Sequence, residues 1–316
     1  MTNFNLAFSR KGIVGSTGVV ATHDYIDFNS PWGLAAKCHH DCLQELAVAC
    51  NGSGVVFRLD PCGNARRNPV YTQDAALTAP GSPTGVVYYC GDGFPIAGST
   101  GITGSSRLII AQSNGIISGF NDDVNQVYAV NVVGPTGSFT GLAFHDSYLY
   151  AANSGNGAIY KYDESWNWIS AYTDPSLPAL VPSNVALIEY RGCKVLVAPW
   201  VVNGSTASPP GQGFLNLLNS DGTVTRLIDA GQLSVPWAVF NLCIDHQNYI
   251  GVGNNGNGTV VIYDEHGQFL TEVNNIVGKP FIFGAPYGVV PAPEKAVIYV
   301  ASGVEGQGLL DKLTAR

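Results

Sequence analysis

The chain has little charge, almost no methionine and no long apolar run. Only 12% of its 316 residues are charged, and it has a single Met. Long exposed helices favour Lys, Glu and Met, so their scarcity argues against a helical architecture. Lys and Arg total 15 against 23 acids, a net charge of −8 with no basic cluster. Nucleic-acid binding normally needs a cationic stripe, so no nucleic-acid partner is expected. The apolar runs fall well short of a bilayer span, and no membrane insertion is expected. The opening "MTNFNLAFSRKGIVGST" lacks a basic segment followed by an apolar one, and so does not read as a signal peptide. Seven cysteines is an odd number for a secreted disulfide framework. Reduced thiols are therefore expected, in a protein that is intracellular or packaged in an assembled particle. The Asn-Gly-Ser/Thr sequons at Asn51, Asn203 and Asn257 then read as turns and not as glycan sites.

What the chain has in quantity is glycine, 38 residues, with 18 prolines and 46% hydrophobic content. That mixture suits many short strands joined by tight turns. One unit recurs throughout. It opens with Pro31-Trp32-Gly33, Pro83-Thr84-Gly85, Phe139-Thr140-Gly141, Pro182-Ser183-Asn184, Pro236-Trp237-Ala238 and Pro286-Tyr287-Gly288, at steps of 52, 56, 43, 54 and 50 residues. Inside most units an apolar strand, a Gly/Asn turn and a second strand follow, as in "LAVACNGSGVVFRLD" (46–60) and "LYAANSGNGAIYKYD" (149–163). Gly and Asn tolerate the positive φ angles that tight hairpins demand. In the fourth unit "NGSTASPPGQG" (203–213) interrupts the pattern and reads as a long surface loop. Six four-stranded units predict an all-β fold, a six-bladed β-propeller spanning 1–316 as one domain. Blades are expected to start near 31, 83, 139, 182, 236 and 286, with residues 3–8 supplying the outer strand of the last blade and closing the ring. Two stacked β-sandwiches would not give so even a repeat.

"NSPWGLA" (29–35), "YTDPSLPALVPSNV" (172–185), "LIDAGQLSVPWAV" (227–239) and "VGNNGNGTVVIYDEHGQFL" (252–270) resemble an uncharacterised, mostly bacterial family of predicted propeller proteins. That family shares Asn-Pro-Trp-Gly openings and Asn-Gly-x-Gly hairpins. More distantly, the repeats resemble NHL-type and gluconolactonase-like propellers. The resemblance implies a fold and no particular activity. The chain departs from the family at "CHHDC" (38–42), and in lacking the export signal common among the bacterial members.

In a propeller the innermost strands start at one face, here called the upper face, and the hairpins joining strands two and three return to it. Trp32, Trp237 and Tyr287 are thus expected near the channel mouth, with Asn51, Asn153 and Asn254 ending second strands beside them. Aromatic faces next to amides suit a protein or glycan partner. The same aromatics could instead wedge between blades while the asparagines cap turns. "CHHDC" falls on the opposite, lower face. Cys38, Cys90 and Cys243 each stand seven residues after an opening Pro, and similar turns follow: His39-His40-Asp41, and Asp245-His246 after Cys243. Three readings of the cluster stay open: a plain turn, a Cys42–Cys62 disulfide, or zinc held by Cys38, Cys42, Cys62 and one of His39 or His40.

Catalytic patterns are scarce. There is no Gly-x-Ser-x-Gly elbow, no His-Glu-x-x-His helix and no phosphate-cradling glycine loop. His145-Asp146 reads as a solvated turn, because adjacent strand residues point to opposite faces. Two functions remain. One is a non-enzymatic binding or scaffold module, with no cofactor and with self-assembly open to it. The alternative is a metal-assisted hydrolase or lactonase with calcium in the central channel.

Overall fold

The computed structural model describes residues 6–17, 19–39, 42–74, 78–98, 101–124, 128–130, 137–176, 179–204, 210–211, 213–293, 296–303 and 307–315. These residues form an all-β, six-bladed propeller. Blade 1 comprises Pro31–His39, Cys42–Cys50, Val55–Leu59 and Val70–Tyr71. Blade 2 comprises Pro83–Tyr88, Leu108–Gln112, Ile117–Phe120 and Tyr128–Val130. Blade 3 comprises Phe139–His145, Tyr148–Asn153, Ala158–Asp163 and Trp168–Tyr172. Blade 5 comprises Pro236–Ile244, Gln247–Asn254, Thr259–Tyr263 and Phe269–Glu272. Each is an antiparallel meander running from the channel outwards. The inner strands of successive blades touch in order, and blade 6 returns to blade 1. Among the described residues no helix is long and apolar enough to cross a membrane.

Two blades depart from the simple repeat. In blade 4 the inner strand is split into Leu180–Pro182 and Ala186–Tyr190, both paired to Cys193–Val202. The blade therefore begins two residues before Pro182. In blade 2 a small hairpin, Pro95–Ala97 with Thr103–Ser105, is inserted between the first and second strands.

Blade 6 closes the ring. Its strands Pro286–Pro291, Val297–Ser302 and Leu309–Ala315 are completed by Ala7–Gly15, which runs antiparallel to Leu309–Ala315 from Phe8↔Ala315 to Gly15↔Leu309. The closing strand thus lies further along the chain than 3–8. Residues 3–5 of that expected strand lie outside the described residues, and only 7 and 8 are shared with the observed one. Burial explains the shift. Phe8, Ile13 and Val14 are almost completely enclosed, and the charged Arg10 between them reaches buried Asp311 at 2.7 Å.

The core is divided among the blade interfaces. Six apolar clusters fill the six gaps between neighbouring blades, such as Ala47, Val56, Val86 and Ile110 between blades 1 and 2, or Phe8, Phe240, Phe283 and Ile298 between blades 5 and 6. No blade covers both of its own faces, so ring closure is what completes the last two clusters.

The opening tripeptides now have a mechanical reason. In blades 1, 2, 3, 5 and 6 the ladder between the first two strands slips inside the opening, so that two residues face one. The residue bulged out of register is Trp32, Thr84, Thr140, Trp237 or Tyr287. A β-bulge bends the strand and re-aims one side chain. The third position is small because inner strands converge there. A Cβ on Gly33 would lie 2.8 Å from the Thr84 carbonyl, and one on Gly85 would lie 2.8 Å from the Gly141 Cα.

Candidate functional site

Around the channel mouth the bulged position alternates in chemistry by half-ring. In blades 2 to 4 the middle position of the opening holds a hydroxyl, and two of the three join neighbouring blades. Thr84 Oγ1 donates to the Phe139 carbonyl at 2.6 Å, and Ser183 Oγ donates to the Pro236 carbonyl at 2.5 Å. Thr140 Oγ1 donates within its own blade, to the Ala152 carbonyl at 3.3 Å. In the consecutive blades 5, 6 and 1 the position holds Trp237, Tyr287 and Trp32. These three form one cluster. Trp32 stacks on Tyr287 with ring centroids 4.7 Å apart and planes 15° from parallel. Trp237 sets its ring edgewise to both, at 5.5 Å from Trp32 and 5.1 Å from Tyr287. All three stay partly exposed. Burial pushes the Tyr287 phenol above its ordinary range, so it stays a neutral hydroxyl.

Below this arc lies a central cavity of about 300 Å³. Its wall is made by Leu34, Val86, Leu142, Val185, Val239 and Val289, one from each blade, with Trp32 and Tyr287 at its edge. Among the described residues the polar side chains on it are Thr84, Thr140, Tyr88 and Asn184, and none of these is a carboxylate, imidazole or thiol. Asn184 belongs to blade 4, three blades from Trp32 and so across the ring from it. Calcium normally takes six to eight oxygen ligands that include carboxylates. This lining, whose Thr84 and Thr140 hydroxyls are already committed to backbone carbonyls, does not fit it.

The three asparagines expected beside the aromatics are placed differently. Asn153 and Asn254 are completely buried. Asn153 Oδ1 accepts from the Ser138 and Asn156 backbone N–H groups at 3.2 and 3.1 Å. Asn254 Oδ1 accepts from Ser234 N–H at 3.0 Å, while its Nδ2 donates to the Gln232 carbonyl at 2.9 Å. These amides pin the segment that leads into their own blade's opening, so they face backbone and not the channel mouth. Gln112 does the same work in blade 2, accepting from Ser82 N–H at 3.2 Å, and its Gln in place of Asn hid it from the sequence pattern. Asn51 is partly exposed, and its Nδ2 is enclosed without an acceptor among the described residues, as is Trp237 Nε1.

On the lower face, "CHHDC" makes the turn between the first two strands of blade 1, where His39 pairs with Cys42 and Cys38 with Leu43. His40 and Asp41 lie outside the described residues. No disulfide joins any of the seven cysteines. Among the described residues no three His, Cys, Asp or Glu side chains come together as a metal cluster. Cys62 sits in the next turn, its N–H donating to Asp60 Oδ1 at 2.8 Å. His145 Nε2 and Asp146 Oδ2 are 3.2 Å apart, on a turn where Asp146 and Ser147 both have positive φ.

One lower-face assembly escaped the sequence reading. Glu45 and Arg58, both almost fully buried, pair at 3.1 Å. Arg58 also makes a two-pronged contact with Asp122 of blade 2, at 2.7 and 3.0 Å. Arg67 reaches Asp122 at 2.6 Å, and the Tyr88 hydroxyl donates to Glu45 at 2.8 Å. Hydrogen bonding from Arg58 holds the Asp122 carboxyl below its ordinary range. Burial, with Glu45 beside it, pushes the Tyr88 phenol up. The available signal was an acid in "LQELAVAC" and a base in "VVFRLD", each inside an otherwise apolar strand. Every group in this set is paired with another, so it clasps blades 1 and 2 together.

No family model matches the chain. Two uncharacterized proteins of Acanthamoeba polyphaga mimivirus are 26% and 24% identical to it, over 88% and 86% of this chain and 77% and 70% of theirs. Among solved structures, a catalytically inactive virginiamycin B lyase from Staphylococcus aureus, with quinupristin, matches 97% of this chain and 99% of its own with a TM-score of 0.58 at 12% identity. The soluble aldose sugar dehydrogenase of Escherichia coli, in its apo form, matches 98% of this chain and all of its own at 0.56 and 14%. A Bacteroides thetaiotaomicron protein of unknown function matches 99% of this chain and 77% of its own at 0.59 and 10%. At these identities the solved structures bear on the backbone alone, and the chain is a six-bladed propeller with uncharacterised viral relatives.

Proposed function

We propose that the protein is a non-enzymatic binding or scaffold module that takes an uncharged protein segment or glycan at the upper mouth of its channel. One observation carries this reading: Trp32, Trp237 and Tyr287, from three consecutive blades of the ring, with Trp32 205 residues before Trp237, meet as one partly exposed cluster. Rigid aromatic surface offers large contact area at small entropic cost, and binding energy tends to concentrate in a few such residues. An uncharged ligand suits the wall beneath the cluster, where the Tyr88 phenol, kept neutral by burial, is the one ionisable side chain among the described residues. A hydrolase or lactonase needs a general acid, a base or a metal cradle at the mouth, and the described lining offers none of these side chains. The setting that suits this module is intracellular or within an assembled particle.

The experiment is a parallel screen of wild type and Tyr287→Ala on arrayed neutral glycans and arrayed uncharged peptides. Tyr287→Ala removes one stacked face. Binders of the wild type should lose about 2 kcal/mol, roughly thirtyfold in affinity, as hot-spot truncations do. Binders that hold Tyr287→Ala equally well would place recognition elsewhere.

A further inference from the structure

Six of the seven cysteines are exposed, and all six lie on the lower face. Cys42 and Cys62 flank turns of blade 1, with Cys38 beside them. Cys90 follows the inner strand of blade 2, Cys193 starts the second strand of blade 4, and Cys243 stands near the end of the inner strand of blade 5. The seventh, Cys50, is at the upper end of its strand but completely buried, and burial pushes its thiol far up, which makes it inert. Blades 3 and 6 carry no cysteine.

That distribution is self-complementary. A two-fold dimer that apposes two lower faces has its axis in the plane of the face, and it pairs blades in reversed order. An axis passing between blades 1 and 2 lays blade 1 on the partner's blade 2, blade 4 on the partner's blade 5, and blade 3 on the partner's blade 6. An axis through blades 3 and 6 lays blade 1 on the partner's blade 5 and blade 2 on the partner's blade 4. Of the blade-on-blade registers, only these two set every thiol-bearing blade against another. Neither sets a thiol-bearing blade on its own copy. An unrelated partner would have to match four separated thiol positions independently, whereas a second copy of this chain carries them already.

We propose that the lower face is a redox-addressed interface between two copies of this chain, locked by disulfides between unlike cysteines. The oxidant is a small-molecule disulfide such as oxidised glutathione. A thiol of one copy loses its proton to solvent and attacks the disulfide, forming a mixed disulfide and releasing one glutathione thiolate. The facing thiol of the second copy, deprotonated in turn, attacks that mixed disulfide. The inter-chain S–S bond forms, the second glutathione leaves, and both glutathione thiolates take up protons. Two protein thiols are oxidised and one glutathione disulfide is reduced to two thiols.

The test incubates dilute full-length protein with oxidised glutathione at neutral pH, followed by non-reducing electrophoresis and mass spectrometry of linked peptides. A dimer that reductant collapses is expected. Its links should join Cys42 or Cys62 to Cys90 together with Cys193 to Cys243, or Cys42 or Cys62 to Cys243 together with Cys90 to Cys193. Links between like residues, an unordered ladder containing all pairs, an internal Cys42–Cys62 bridge in a monomer, or a monomer carrying only glutathione would each overturn the proposal.

Discussion

Deleting residues 1–15 removes the strand that closes the ring, and the structure sets the size of the effect. Four apolar side chains leave the core with it: Leu6, Phe8, Ile13 and Val14, at 7%, 0%, 2% and 0% exposure. Each fully buried side chain of this kind contributes roughly 1.5–3 kcal/mol, which sums to about 6–12 kcal/mol gross. That sum is an upper range, because an unfolded chain already hides some of this surface. It is nonetheless comparable to the entire stability of a typical domain, about 5–15 kcal/mol. The deletion also uncovers the edge of Leu309–Ala315 and the clusters on both sides of blade 6. The truncated protein should therefore be largely unfolded or aggregated at room temperature by circular dichroism and light scattering. Phe8→Ala is the graded version. It should cost roughly 3–5 kcal/mol in urea titrations, as large-to-small core substitutions of Phe do. If the truncated chain melts within about two degrees of the full one, the closing strand adds little and the burial reasoning fails.

Other consequences follow from the same packing. Asp122 has a folded-state pKa held down by Arg58, so its contribution is complete above the ordinary carboxylate value of about 4 and is lost as pH falls through the depressed value. Asp122→Asn should flatten the acid limb of a stability-versus-pH profile, and superimposable limbs would refute the pairing. Replacing both Cys38 and Cys42 with Ser should cost no more than about 1 kcal/mol by chemical denaturation, because both are exposed at a turn; loss of folding would show a structural role. Gly85→Ala should lower stability by roughly 1–3 kcal/mol in the same assay, since its Cβ would press on the Gly141 backbone at 2.8 Å. An unchanged midpoint would mean the inner strands have slack at the mouth.

How much of this was legible in the sequence depended on whether the signal was local. The six openings and their Gly/Asn hairpins are local, and they carried the propeller. The bulge that re-aims Trp32, Trp237 and Tyr287 was not readable, but their shared position in the repeat was, so their convergence could be expected without their stacking. The asparagines stayed open between rim and turn cap because an Asn at a strand end looks alike whether its amide faces solvent or, as at Asn254, a neighbouring backbone N–H. The closing strand was misplaced because Arg10 and Lys11 interrupt the apolar pattern. Only the fold shows that Arg10 reaches Asp311, 301 residues away. The Glu45–Arg58–Asp122 clasp escaped for the same reason, since Asp122 lies 64 residues beyond Arg58 and in another blade.

The claim that the upper aromatic arc is the working surface can be read directly from the five tryptophans. Trp32 and Trp237 sit in the arc, Trp200 is completely buried in blade 4, Trp166 packs against Phe94 at the interface of blades 2 and 3, and Trp168 stands 48% exposed on an outer strand. The measurement is an ¹⁵N-edited NMR titration of the indole N–H signals, using the strongest wild-type binder from the glycan and peptide arrays. The account predicts that the Trp32 and Trp237 signals shift together and saturably while those of Trp166, Trp168 and Trp200 stay in place. Saturable shifts at Trp168 or Trp166, with Trp32 and Trp237 unmoved, would contradict it.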